Sequence, residues 1–226
     1  MLYAVGKDEL RPQMTGVFIE ANGAVTMTAT NGNVLAHCKV VEEFKVNREN
    51  NEIVTADILE TIAKIIPDEK EIALWSNSRH QWMVMGDVEL CARKLDERYP
   101  DWRNAVPKES NAVKIDRRNL LASINRMLLF TDKATALVKS EINLKSISLT
   151  ADSYDFDHHG HERITLESES AITLQIDLNA SQLKEALGHI EQELIMVEYS
   201  NPRKPIVLRY EDGFSLLVPL TLASNA

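Results

Sequence analysis

The chain has 226 residues, 44% of them hydrophobic, and sets 25 Lys and Arg against 34 Asp and Glu for a formal net charge of -9. That length can bury the core of one large domain or two ordinary ones, and the negative balance excludes a protein that wraps nucleic acid with its whole surface, though not one with a local basic face. No apolar run approaches the roughly 20 residues of a membrane helix, and the opening MLYAVGKDELRP turns charged too early for a secretory signal, so a cytoplasmic location is expected.

In chain order, the first clear element is VTMTAT, where Val25 and Met27 alternate with threonines as in a half-buried strand. From Thr55 the period becomes helical: Ile58, Leu59, Ile62, Ile65 and Ile66 share one side, leaving Glu60, Thr61 and Lys64 outward. WMVMGDVELCA predicts a hairpin turning at Gly86-Asp87. RYPDWRNAVPKE, Arg98 to Glu109, then breaks the pattern; Pro100 and Pro107 predict a stiff, extended connector with a domain on either side, residues 1–106 and 107–226. Beyond it AVKI reads as a strand, and from Asp116 a helix sets Leu120, Leu121, Ile124, Met127 and Leu128 inward with Arg118 and Arg126 outward. SISLTAD alternates Ile147, Leu149 and Ala151 with polar residues. A third helix starts at Asn179, an N-cap with Gln182 completing a capping box, and packs Leu183, Leu187 and Ile190. IVLRYEDGFSLLVPL predicts two strands closed on Asp212-Gly213. Cys38 and Cys91 stand singly in strand-like runs without metal spacing, which predicts buried free thiols.

The chain repeats itself. IVTADILETIAKIIPDEKEIALWS lies over IDLNASQLKEALGHIEQELIMVEYS with Leu59 on Leu183 and Ser76 on Ser200, and Met1 falls opposite Met127 and Val25 opposite Ile147. Two copies of one strand and helix unit follow each other. The second has AVKI and the helix from Asp116 before Met127, while the first has nothing before Met1, so a first copy shortened at its N-terminus is expected, with Met1 an internal methionine.

Four segments in order, DELRPQMTGVFIE, TATNGNVLA, RYPDWRNAVPKE and FSLLVPLTL, resemble the bacterial β sliding clamp family, the processivity subunit of DNA polymerase III. The resemblance covers essentially the whole chain. It implies an α+β fold of two tandem clamp domains, with antiparallel sheets outside and helices lining the DNA-facing side. Residues 1–106 would match the family's central domain and 107–226 its C-terminal domain. Full chains of the family have three domains and dimerise into a ring of six; a natural two-domain chain closing a ring as a trimer is the alternative. The implied function is non-catalytic and needs no cofactor: a subunit of the DNA-directed DNA polymerase holoenzyme that encircles duplex DNA without sequence preference during strand elongation, in the nucleoid. The helices would offer Lys64, Arg118, Arg126 and Lys184 to phosphates, with Arg11 in a loop that the family turns toward DNA. On charge alone Lys64 and Lys184, beside Glu60 and Glu185, read rather as solvated helix faces, and Arg118 and Arg126 are the stronger candidates.

The resemblance also implies docking of linear peptides from the polymerase, the clamp loader and repair proteins, typically a glutamine followed by apolar and aromatic residues. The groove between the two domains would be built by Met14, Thr30, Gly32, Leu35, Pro100, Ala105, Leu216, Val218, Pro219 and Leu220. Leu216, Val218 and Leu220 fit plain strand packing as well. Asn31, Asn33 and Val34 stand where the family usually has an aspartate, a histidine and an arginine. Asn104 and Thr221 replace usual arginines, and Ala223 to Ala226 run past the customary terminal leucine. The apolar shape is kept and the polar rim is not, which implies an altered partner preference.

One constellation suggests another class. DFDHHGHE, Asp155 to Glu162, puts His158, His159 and His161 among carboxylates, the composition of a zinc or other transition-metal module or metalloenzyme. It lacks an i, i+4 histidine pair or paired cysteines and follows a strand, so a surface loop is the expected reading. No phosphate loop, nucleophile elbow or catalytic carboxylate pair occurs elsewhere.

Overall fold

Short alternating runs and one helical run build the first of two units, Met1–Asp101, of the computed structural model, which describes residues 1–22, 24–40, 50–65, 71–153 and 158–221. Strands β1 (Gly16–Ala21), β2 (Val25–Thr30), β3 (Val34–Lys39) and β4 (Asn50–Thr55) form an antiparallel sheet ordered β4-β1-β2-β3. Helix α1 (Ala56–Ile65) leads to a three-stranded sheet of β5 (Ala73–Ser76), β6 (His80–Met85) and β7 (Val88–Arg93). The hairpin between β6 and β7 turns at Gly86-Asp87 as expected, with Gly86 at φ 55, a value that glycine adopts without a Cβ clash.

Ile58 and Ile62 of α1 enter a core cluster with Val54, Met83 and Met85. Ile65 does not: it is 45% exposed on the last helical residue and takes no part in the cluster. Ile66 lies outside the described residues. The alternation read in β2 also fails on one face, where Thr28 is fully buried. The cause is the connector. Tyr99 stacks on Phe18 at 4.7 Å and 5°, donates its hydroxyl to the Thr28 carbonyl at 3.3 Å, and so roofs the threonine side of the sheet. That burial pushes the Tyr99 phenol above its ordinary range. Under the second sheet, Glu52 is 5% exposed and collects Lys94 Nζ at 3.2 Å, Gln81 Nε2 at 3.0 Å and the Ser76 hydroxyl.

The second unit, Trp102–Ala226, opens with a 3-10 turn at Trp102–Ala105, so the connector is not extended throughout. Trp102 is buried with its ring 6.2 Å from Phe214, and Arg103 lies over it at 4.4 Å, a cation–π contact that favours the bend. Then follow β8 (Asn111–Asp116), α2 (Arg117–Met127), β9 (Leu137–Ile142), β10 (Ser146–Ser153), β11 (His158–Thr165), β12 (Leu174–Asn179), α3 (Ala180–Gly188), β13 (Leu194–Tyr199), β14 (Ile206–Tyr210) and β15 (Gly213–Leu217). Strands β11-β10-β9-β12 make one antiparallel sheet and β15-β14-β13-β8 another ladder. Asp116 caps α2 by accepting from Asn119 N at 2.7 Å, and Asn179 caps α3 by accepting from Gln182 N at 2.9 Å. Leu120, Ile124, Met127, Leu183 and Leu187 bury the inner faces of these helices, and Ile190 is buried just past α3.

Three sequence expectations are corrected by the strand pairing. The β14–β15 hairpin turns at Glu211-Asp212, because Gly213 already pairs with Tyr210. DFDHHGHE is no loop over its described part: His158–Thr165 is strand β11, paired with β10 along its length, while Asp155, Phe156 and Asp157 lie outside the described residues. The repeat slips by one residue at β5. Matching the two hairpin turns sets Leu74, opposite Met83, on Val197, opposite Leu208, rather than Ser76 on Ser200. The period-two rule enforces this, since either other register would turn Leu74 away from its core. The cysteines are free as expected but not buried: Cys91 is exposed and Cys38 half-buried. Among the described residues no helix is long and apolar enough to cross a membrane.

Candidate functional site

In the first unit Thr30, Gly32 and Leu35 of the expected residues lie at the β2–β3 turn. Asn31 Oδ1 accepts from Asn33 N and Val34 N, both at 2.9 Å, an Asx turn that replaces a backbone turn. Thr30 Oγ1 accepts from Gly32 N at 3.1 Å and donates to the Val34 carbonyl at 2.8 Å. Gly32 sits at φ 92, the left-handed region that favours glycine. The backbone N–H groups of Asn31, Gly32, Asn33 and Val34 thus all find acceptors inside the turn. Arg11, expected on the DNA-facing loop, reaches this turn: a Cβ on Gly32 would meet its Nη1 at 3.3 Å. Asp8 holds Arg11 through Oδ2 at 2.9 Å, and the Leu10 N–H followed by Arg11 keeps the Asp8 carboxyl below its usual range. Thr30 and Leu35 are buried, Met14 and Pro100 half-buried, and Gly32 exposed.

In the second unit Leu216 is buried within β15, Val218 and Leu220 are half-buried, Pro219 is buried and Ala105 is exposed. Beyond β15 the backbone is tied back, with Leu220 N donating to the Asp177 carbonyl of β12 at 2.8 Å. The Asp177 carboxyl is pushed up by burial, opposed only by the Lys139 charge. A carboxyl whose folded pKa is raised favours folding below its unfolded pKa and opposes it above the folded one. Asp177→Asn is therefore expected to raise the melting temperature at pH 7, and the gain should vanish once acid has protonated the wild-type carboxyl. Thermal scans from pH 3 to pH 8 check this, and an equal gain at every pH would refute it.

The cations expected on helices are dispersed. Arg126 makes a two-pronged pair with Glu162, 2.6 Å from Nε and 2.8 Å from Nη2, which lowers the Glu162 pKa and raises that of Arg126. Arg118 pairs loosely with Glu193 at 3.4 Å, both side chains being well exposed, so the bond is worth little. Lys64 and Lys184 stand exposed. Sequence reasoning missed Arg117, which donates to the Leu187 and Gln192 carbonyls and fastens α2 to the end of α3; no local spacing signals such a contact. On β11, His159 Nδ1 meets Asp152 Oδ1 at 2.6 Å and His161 Nδ1 meets Thr150 Oγ1 at 3.3 Å, and the His159 bond is the main cause holding Asp152 below its ordinary pKa. Among the described residues no three His, Cys, Asp or Glu side chains are grouped to hold a metal ion.

Two family models match in tandem: "DNA polymerase III beta subunit, central domain" over residues 1–101 and "DNA polymerase III beta subunit, C-terminal domain" over residues 103–217. The beta sliding clamp of Synechococcus elongatus is 26% identical over 218 residues, covering 92% of this chain and 57% of the relative. That of Chlamydia pneumoniae is 25% identical over 225 residues, covering 97% and 60%. The chain thus spans less than two thirds of these relatives' length. The solved DNA polymerase sliding clamp from Bacillus subtilis superimposes with a TM-score of 0.90 at 24% identity, over 98% of this chain and 60% of that one, which shows the same fold.

Proposed function

This chain belongs to the DNA polymerase III beta subunit family through that family's central and C-terminal domains, and on that premise we propose that it acts within a sliding clamp, a processivity factor with no chemical step of its own. The observation that carries the reading is the tandem match, in family order, across two units built from one repeated pattern. The domains of this proposal are residues 1–106 and 107–226, divided within the connector.

Helices α1, α2 and α3 would offer Lys64, Arg118, Arg126 and Lys184 to DNA phosphates, and the loop before β1 would offer Arg11. Arg118 and Arg126 already carry carboxylate partners, so each phosphate contact would exchange one ion pair for another at small net gain. Weak, interchangeable contacts suit a protein that holds DNA by enclosure and slides along it in the nucleoid, within a ring formed by self-association. The second role is docking. Met14, Thr30, Gly32, Leu35 and Pro100 of the first unit and Ala105, Leu216, Val218, Pro219 and Leu220 of the second would receive an extended motif from polymerase, clamp loader or repair proteins.

Enclosure without affinity predicts that binding to short linear duplexes is weak, indifferent to sequence and steeply weakened by salt. Fluorescence anisotropy with several unrelated duplexes between 50 and 200 mM salt tests it. Tight, salt-resistant binding to one sequence would overturn the clamp reading.

A further inference from the structure

The three histidines of β11 serve neither of the proposed roles, and the strand separates them by face. Paired with β10 along its length, β11 sends His158, Gly160, Glu162 and Ile164 to the same side as Ser153, Ala151, Leu149 and Ile147. That side is the inner one: a Cβ on Gly160 would lie 2.8 Å from the Phe130 ring, and Glu162 is bonded to Arg126 of α2. His159 and His161 therefore share the outer side, where both are exposed. Within DHHGHE these two make a pair at i and i+2 on one face of a strand.

The bonds behind the rings leave their outer nitrogens available. Asp152 Oδ1 lies 2.6 Å from His159 Nδ1, while Lys139 Nζ holds Oδ2 at 3.4 Å. Asp152, its pKa held down chiefly by the His159 bond, is ionised at neutral pH and can only accept, so a neutral His159 carries its proton on Nδ1 and its lone pair on Nε2. Thr150 Oγ1, 3.3 Å from His161 Nδ1, can accept from that ring in the same way. A carboxylate or hydroxyl behind Nδ1, with Nε2 outward, is the arrangement that orients imidazole for a metal ion.

Two residues of strand span about 6.6 Å, and exposed rings can lean until both Nε2 atoms reach the roughly 2.0–2.1 Å that one ion requires. We propose that His159 and His161 form a two-histidine chelate for a divalent transition-metal ion of the zinc or nickel kind, oriented by Asp152 and Thr150, with water in the remaining positions. Imidazole selects such ions over magnesium and calcium, which take oxygen ligands. The site stands on the face of the sheet and not on the edge of β11, so it needs no residue from beyond this chain.

The probe is zinc chloride, titrated by calorimetry into the Cys38→Ala, Cys91→Ala protein so that neither free thiol competes. One ion per chain should bind, with a Kd on the order of tens of micromolar. His159→Ala and His161→Ala should each weaken binding at least tenfold by breaking the chelate, and Asp152→Asn several-fold by loosening the ring it orients. His158→Ala, on the other side of the strand, should change it less than twofold. Leu220→Asp should do the same, which separates this site from the groove proposed above. In long-range proton–nitrogen spectra of the imidazoles, zinc should shift Nε2 of His159 and His161. A loss in His158→Ala equal to that in His161→Ala, undiminished binding in His159→Ala, or no shift at either Nε2 would each overturn the proposal.

Discussion

Leu220→Asp is expected to weaken docking of a peptide that carries a glutamine and ends in Leu-Phe by at least about 100-fold while leaving the fold intact. The backbone at Leu220 is positioned by its own N–H on the Asp177 carbonyl, a bond that does not depend on the side chain. Leu220 is half-buried without a ligand, so an aspartate there stays hydrated in the free protein. A bound peptide would remove that water and set the charge beside Val218 and Leu216 with no partner. Stranding a carboxylate in this way costs several kcal/mol, and about 2.7 kcal/mol already amounts to 100-fold. The wild type should bind only at micromolar strength, because ordering a flexible peptide offsets much of what a few buried side chains contribute. Calorimetry on the wild type, Leu220→Asp and His159→Ala decides the matter. His159 lies on β11, paired to Asp152, and its variant should bind like the wild type. If Leu220→Asp also does, the groove has been placed wrongly.

The largest stability effect is expected at Lys94. Lys94→Met removes the Lys94 cation from Glu52, whose side chain is 4% exposed, and keeps the hydrogen bonds from Gln81 and Ser76. Breaking a buried pair by deleting one partner costs about 3–5 kcal/mol. Replacing both partners, Glu52→Gln with Lys94→Met, should restore most of that loss, since no charge is then stranded. Urea unfolding followed by tryptophan fluorescence measures it, and Trp75 and Trp82, stacked at 4.0 Å, report on the first unit. A loss below about 1 kcal/mol for Lys94→Met would mean that water reaches Glu52 and the site is not dry.

The elements written in local periodicity were legible. The three helices begin where their apolar spacing predicts, α3 at its predicted N-cap Asn179, and the Gly86-Asp87 turn follows from one glycine. What failed depended on partners distant in sequence. Nothing in VTMTAT announces that Tyr99 will roof Thr28, and nothing near Arg126 announces Glu162. Ile65 extends the apolar stripe of α1, yet the cluster ends before it. The β14–β15 turn was misplaced because Asp-Gly is the stronger local signal, whereas the pairing of Tyr210 with Gly213 is set by the register of the whole hairpin. For the candidate surfaces, sequence could name residues by resemblance but not their bonds. Asn31 is a departure from the family's usual aspartate, yet its side-chain carbonyl closes the turn through two backbone N–H groups.

That turn has a consequence in time. Thr30, Asn31 and Gly32 are locked by hydrogen bonds within a single short loop, so the first unit's share of the proposed docking surface stands ready before any partner arrives. Association then waits on no opening step of the receptor, and its rate is set by diffusion and by how often the incoming peptide is already extended. Partners would differ chiefly in how long they stay. A surface of that kind can be handed from one protein to the next as quickly as the last one leaves.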